Sequence, residues 1–289
     1  MLRLLLLLAP VHAVLNANSK EWSYLKAHPM AQTTDPSAID LDALTADVWG
    51  TLVSSCPQFP SEPKLRVQFD HSIANTTVLA YASQNLLLSS KGAWVSTLYS
   101  ALGSNSSTAS YDLDIGINPT PPNGWHVSPD CDGISYRYDL RTVLRHELLH
   151  GFILASSVRL EDGWTAGYTF QGNCYPRLYD TKIVDANNQS VVNGCEVANI
   201  DGKALFIEGV RVYHPLEFQL GSSFSHHDYS GQLMYYALPS KKCIKMGEME
   251  GRLLSALGVA CTIENVTYSA AFAAVPGALF ATLALMLFL

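Results

Sequence analysis

The chain has 289 residues, 48% of them hydrophobic and 15% charged, with a formal net charge of −7. That length suffices for one large domain or two lobes with a sizeable core. The acidic balance, with no basic run, argues against nucleic acid as a partner.

Residues 1–13, "MLRLLLLLAPVHA", place one arginine before a leucine run and end in small residues. This is the pattern of a secretory signal peptide, too short to span a bilayer. Export agrees with the cysteine usage. The six cysteines are widely spaced and none forms a C-x-x-C pair, so disulfides are expected rather than thiolate metal ligation. Short local loops favour Cys174 with Cys195 and Cys243 with Cys261. Four N-x-[ST] sequons, at Asn75, Asn105, Asn188 and Asn265, suggest a glycosylated surface.

After the signal, "IDLDALTADVWGTLVSSC" gathers Leu41, Leu44, Val48, Leu52 and Val53 near one face and predicts an amphipathic helix. Residues 14 to about 63 could be a removable propeptide. A cysteine latch there could use only Cys56, and a disulfide is the expected use of that residue. "PKLRVQFD" alternates and predicts a strand. "ANTTVLAYASQNLL" fits a strand or a helix. "ASYDLDIGINP" alternates Leu113, Ile115 and Ile117 with polar neighbours, so Asp112–Asn118 is expected as a half-exposed edge strand above a cleft, where an extended substrate would pair with it. A turn-rich loop, "TPPNGWHVSPDCDG", follows.

Asp139 is a fair N-cap for a helix beginning "LRTVLRHELLH". Within it, "RHELLHGF" contains H-E-x-x-H: His146, Glu147 and His150. Histidines four apart advance by about 400° on a helix and return to nearly one face, while Leu144 and Leu148 take the other side. Both imidazoles can therefore reach one zinc ion. Glu147, beside them, can act as general base on a water whose pKa the metal lowers toward about 7. Two surface histidines on an ordinary helix would be the bland alternative, but the helical context in an exported chain is what the motif requires.

A third protein ligand is still needed, and the short spacing H-E-x-x-H-x-x-G-x-x-H is absent: Ile153 and Ser156 occupy the glycine and histidine positions. His28, His71 and His126 suit ordinary surface or core roles, and His214 could lie in a strand. "GSSFSHHDYSGQLMYY" is richer. It sets His226 and His227 before Asp228, an acid of the kind that orients ligating imidazoles, and then supplies Leu233-Met234. A glutamate ligand is also open, but Glu161 follows His150 too closely. The chain from residue 151 to about 245 reads as loops and short strands, and "GRLLSALGVAC" as a last short helix. Finally, Ala270–Leu289 is an uncharged terminal stretch. It reads as a GPI-attachment signal, with a plain tail anchor as the alternative.

The order "YDLDIGIN", "YDLRTVLRHELLHG", a long insert, "GSSFSHHD", "LMYY" and "LLSALGVAC" resembles secreted H-E-x-x-H peptidases of the metzincin type, and is similar in layout to leishmanolysin-like proteases. The resemblance covers roughly residues 110 to 262. It implies Zn2+ held by His146, His150 and His226, Glu147 as general base, and Met234 in a methionine turn. Tyr236, two residues further, is the candidate for steadying the tetrahedral intermediate. It also implies an α+β, zincin/metzincin-like fold. A mixed sheet and the H-E-x-x-H helix would form an upper lobe (residues 14–150), and an irregular, disulfide-linked lower lobe (151–268) would carry the third ligand, with 269–289 as anchor signal. Neighbouring side chains in an extended segment point to opposite sides, so only one of the two histidines can face the ion; the resemblance, which aligns the histidine two before the acid with the ligand, makes it His226 and leaves His227 to bond elsewhere or face solvent. The expected function is a surface-attached zinc endopeptidase acting on protein or peptide substrates and reaching the membrane through its C-terminal anchor. A non-catalytic adhesin or coat protein with structural zinc is the alternative, though such a site has no use for Glu147. A zinc hydrolase acting on a non-peptide bond is a third possibility.

Overall fold

A computed structural model describes residues 35–103, 110–161, 163–263 and 266–268. Residues 1–13 and 269–289, read from sequence as signal peptide and anchor signal, lie outside the described residues, as do His28, Asn105 and Asn265. The fold is mixed α+β, with several small sheets and three disulfides.

Helix α1 (Leu41–Ser55) starts where the Asp40 carboxylate accepts the Ala43 amide at 3.0 Å, satisfying a donor that the first turn leaves free. It buries Leu44, Val48, Trp49 and Leu52. Trp49 stacks toward Phe59, which packs at 4.0 Å between ring centres against Phe152 at the end of the H-E-x-x-H helix. That helix, α2, spans Leu140–Phe152.

The main sheet holds β1 (Leu65–Phe69), β2 (Ala80–Gln84) and β3 (Leu113–Ile117) in the order β1-β3-β2. β1 runs parallel to β3 in the register Leu65↔Leu113, and β2 runs antiparallel to β3 with Ala80↔Ile117. The segment that fits strand or helix by sequence is therefore strand. The same ladder corrects the expectation for Asp112–Asn118. Its strand is central and not half-exposed, with Leu113, Ile115 and Ile117 at 0% exposure. The alternation misleads because Gly116, at a position read as outward, lies under the ring of Tyr81, whose hydroxyl is held by Asp70 at 2.7 Å. The edge over the cleft is β2.

Beyond Phe152 the chain forms short antiparallel ribbons, among them Tyr168–Phe170 with Asn173–Tyr175 and Leu205–Ile207 with Val210–Arg211. A buried carboxylate, Asp180, organises their start. It accepts from the hydroxyls of Ser156 and Ser157 and from the Ser157 and Arg177 amides. Helix α3 (Glu248–Ala256) closes the domain, starting three residues before the stretch read from sequence. No helix of the described residues is long and apolar enough to cross a membrane. Of the four sequons, Asn75 and Asn188 are both exposed.

The disulfides are Cys56–Cys261, Cys131–Cys243 and Cys174–Cys195. The last matches the local-loop expectation, and Cys243–Cys261 is corrected. Cys56 ends α1, which packs against the Cys261–Ile263 strand, so spatial neighbours outrank sequence neighbours there. Cys56–Cys261 spans 205 residues and Cys174–Cys195 spans 21. On loop entropy, replacing the first pair by alanine should cost about 5 kcal/mol and the second about 3. Denaturant titration of the two double variants checks the order.

Candidate metal centre

Helix α2 begins with its expected cap: Asp139 accepts the Thr142 amide at 2.9 Å and the Thr142 hydroxyl at 2.6 Å. Leu144 and Leu148 are fully buried on the core side. Nearly every other residue of the helix is buried as well, because α1, β2 and β3 pack around it. Gly151 is what allows the closest approach. A Cβ there would lie 2.1 Å from a Leu113 methyl, and Leu113 is itself fully buried. Gly151→Val should therefore cost about 1–3 kcal/mol through overpacking, read as a lowered thermal midpoint.

The exit from α2 needs no glycine. Ile153 turns the chain at φ −167°, an extended value open to any residue. The next carbonyl, of Leu154, accepts His150 Nδ1 at 2.5 Å.

His226 arrives from the far end of the insert. Its carbonyl accepts the Tyr213 amide at 2.8 Å, and His227 forms an isolated bridge with Val212, with bends at His226 and Asp228 on either side. Their side chains diverge. His226 enters the cleft, whereas His227, 1% exposed, reaches Glu250 Oε1 at 2.9 Å.

The structure brings His146, His150 and His226 together. Their Nε2 atoms form a nearly equilateral triangle with sides of 3.0, 3.1 and 3.1 Å. Each Nδ1 meets a backbone carbonyl: Leu233 at 2.7 Å, Leu154 at 2.5 Å and Ser222 at 2.8 Å. A carbonyl oxygen only accepts, so each Nδ1 carries the hydrogen and each Nε2 presents a lone pair. Three lone pairs facing one another repel unless a cation lies between them. A triangle of this size has a point about 2 Å from every corner, off its plane, which suits nitrogen ligation of a transition metal.

Electrostatics agree. Burial, then the neighbouring imidazole charge, holds His146 down at about 3, and burial holds His226 at about 4. His150 is likewise well below its ordinary value, first through burial and then through His146. All three are therefore neutral at pH 7, the form that ligation needs. Burial alone pushes Glu147 up to about 8.

The three imidazoles and Glu147 line a cleft of about 680 Å3. Ala80, Ala82 and Gln84 of β2 line it, as do Tyr236 and Leu238. Tyr236 is 36% exposed and stacks on Tyr213 at 3.9 Å. Met234 is fully buried in the turn whose Leu233 carbonyl holds His146.

The acidic partner expected in Asp228 is Glu250 instead. Asp228 pairs with Arg211 at 3.5 Å and touches none of the three ligand candidates. Glu250, fully buried on α3, accepts from His227, from the Met234 amide at 2.9 Å and from the Gly247 amide at 2.8 Å. Burial alone would raise its pKa, and those donors outweigh it and hold the carboxyl below its ordinary value. One carboxylate thus ties α3 to the segment after His226 and to the turn under His146. The sequence offered a hint only in "EMEG", where Glu250 sits at the third position of a helix start.

The remaining candidates lie elsewhere. His71 is exposed, Glu161 pairs with Arg159 at 2.9 Å, and His214 packs against Trp164 and Phe224. His126 is buried near Asp139 and Cys243, but that sulfur is committed to Cys131. Comparison of the chain with protein-family models, curated proteins and solved structures found no match.

Proposed function

We propose that the protein is a zinc-dependent endopeptidase of the metzincin type, leishmanolysin-like in layout, exported and attached to the cell surface through its C-terminal tail. The observation that carries this reading is the triangle of neutral Nε2 lone pairs beside Glu147 in an open cleft. Three imidazoles suit zinc, which takes nitrogen ligands without a demand from its d-electrons. A structural zinc would be closed by a fourth protein ligand. Among the described residues the group counts three, and all three line the cleft. The mixed sheet, the helix beneath it and the disulfide-linked insert carrying His226 agree with the layout. The leucine-rich leader and the disulfides support export.

Zinc, when bound, supplies Lewis acidity, polarising the scissile carbonyl and acidifying the attacking water. Glu147 takes the proton of that water and returns it to the leaving amine. Its place beside the three imidazoles in the cleft suits a group that must both accept and release that proton. Tyr236, at the cleft wall, offers its phenol to the oxyanion as it develops. The free edge of β2 pairs with an extended substrate and sets the bond in register. The backbone carbonyls on each Nδ1 fix the tautomer and direction of the three imidazoles.

The test is metal analysis of the purified ectodomain together with a peptide-library digest, with and without chelator. Zinc near one equivalent and chelator-sensitive cleavage are expected. A metal-free protein, or cleavage indifferent to chelator, would refute the reading.

A further inference from the structure

We propose that Arg177 is a specificity-determining residue that selects an acidic side chain on the N-terminal side of the cleaved bond. This rests on the endopeptidase reading above. Arg177 belongs to the insert, outside every motif, and the fold delivers it into the cleft. Its Nη1 donates to Gln84 Oε1 at 2.5 Å and its Nη2 to the Tyr168 hydroxyl at 3.2 Å. Gln84 in turn donates to the His150 carbonyl. The guanidinium is thereby fixed at the Gln84 end of the edge strand, one side chain away from a ligand candidate.

Its charge has no ion-pair partner among the described residues. Its Nε is buried with no hydrogen-bond partner. The carboxylate closest to it in the chain, Asp180, takes its hydrogen bonds from Ser156, Ser157 and the Arg177 amide, and the guanidinium acts on it only through its charge, without an ion pair. An arginine held in place by neutral partners in a cleft, with a second N–H left on each of Nη1 and Nη2, is suited to a carboxylate of the ligand.

The direction of the substrate follows from the strand. Antiparallel pairing is the more stable per residue, so a peptide on the edge of β2 runs opposite to Ala80→Gln84. Its N-terminal half then lies at Gln84 and Arg177, and its C-terminal half lies at the Ala80 end, where Val78 and Leu79 make the surroundings apolar. At roughly 3.3 Å per residue, Arg177 is within reach of the two or three residues before the bond.

The experiment uses matched peptides that differ only in Glu, Gln or Lys at each of the three positions before the bond. It reads the ratio of kcat/KM values for wild type, Arg177→Gln, Arg177→Lys and Arg177→Glu. Wild type should favour Glu over Gln by about tenfold at one position. The ratio should fall toward one in Arg177→Gln, survive in part in Arg177→Lys, and turn in favour of Lys in Arg177→Glu. A residue that merely fastened the insert would change rates for all peptides together and leave the ratios alone. Should Arg177→Gln not fold, the wild-type ratio must still shrink as salt is raised. A wild type that cleaves without acidic preference, or an Arg177→Gln variant that keeps the preference, overturns this proposal alone. A wild type that cleaves no peptide overturns the endopeptidase reading with it.

Discussion

Glu147→Gln should fold, hold its metal and lose hydrolysis. Glutamine keeps the shape of the side chain but cannot take a proton from water, and a positioned general base contributes about 10²- to 10⁴-fold. The loss should fall on kcat, with KM little changed, because the edge of β2 and the cleft walls that bind substrate are untouched. Stability should not fall. Burial disfavours the ionised Glu147 carboxylate, so a neutral isostere removes a desolvation cost. Elemental analysis, thermal denaturation and peptide kinetics on the same preparation separate these effects. Cleavage at the wild-type rate would remove Glu147 from the mechanism.

His226→Ala and His227→Ala should part company although the residues are adjacent. His226 supplies one corner of the triangle, so its loss should leave two imidazoles, strip most of the metal and abolish activity. His227 faces the other way, onto Glu250. Its loss should leave zinc at about one equivalent and lower stability by about 2–3 kcal/mol, because a buried carboxylate loses a charge-assisted donor. Activity should survive in part, since Glu250 still holds the Met234 and Gly247 amides. Zinc loss in His227→Ala with retention in His226→Ala would exchange the two assignments. Retention in both would send the search to other donors.

The candidate site was largely legible in the sequence because its elements are local. Histidines four apart on a capped helix define a face without tertiary information, and Asp139 does cap that helix. Strand alternation said only that one of His226 and His227 would face away, and the resemblance picked His226; the structure does separate the two side chains, with His227 in an isolated bridge to Val212 between bends. What stayed hidden depends on partners distant in sequence. Asp228 is next to the histidines in the chain, yet the carboxylate that reaches His227 comes from α3, 23 residues on. Gly116 broke the exposure pattern of β3 because Tyr81 crosses over it from the neighbouring strand. Cys56 meets Cys261 through the packing of α1, which no loop-length argument could supply. Arg177 lies in irregular chain, where no periodicity marks a residue as facing a cleft. The overall class, mixed α+β with disulfides, was nonetheless readable from strand alternation, helix caps and cysteine count, although two of the three disulfides join the first 150 residues to the rest instead of staying within the second part.

The most direct test of the central claim is anomalous diffraction at the zinc edge from crystals of the ectodomain grown with zinc. The account predicts one strong peak about 2.0–2.1 Å from Nε2 of His146, His150 and His226, on the cleft side and beside Glu147. No peak at the triangle, or a peak held by other residues such as His126 and Asp139, would contradict it.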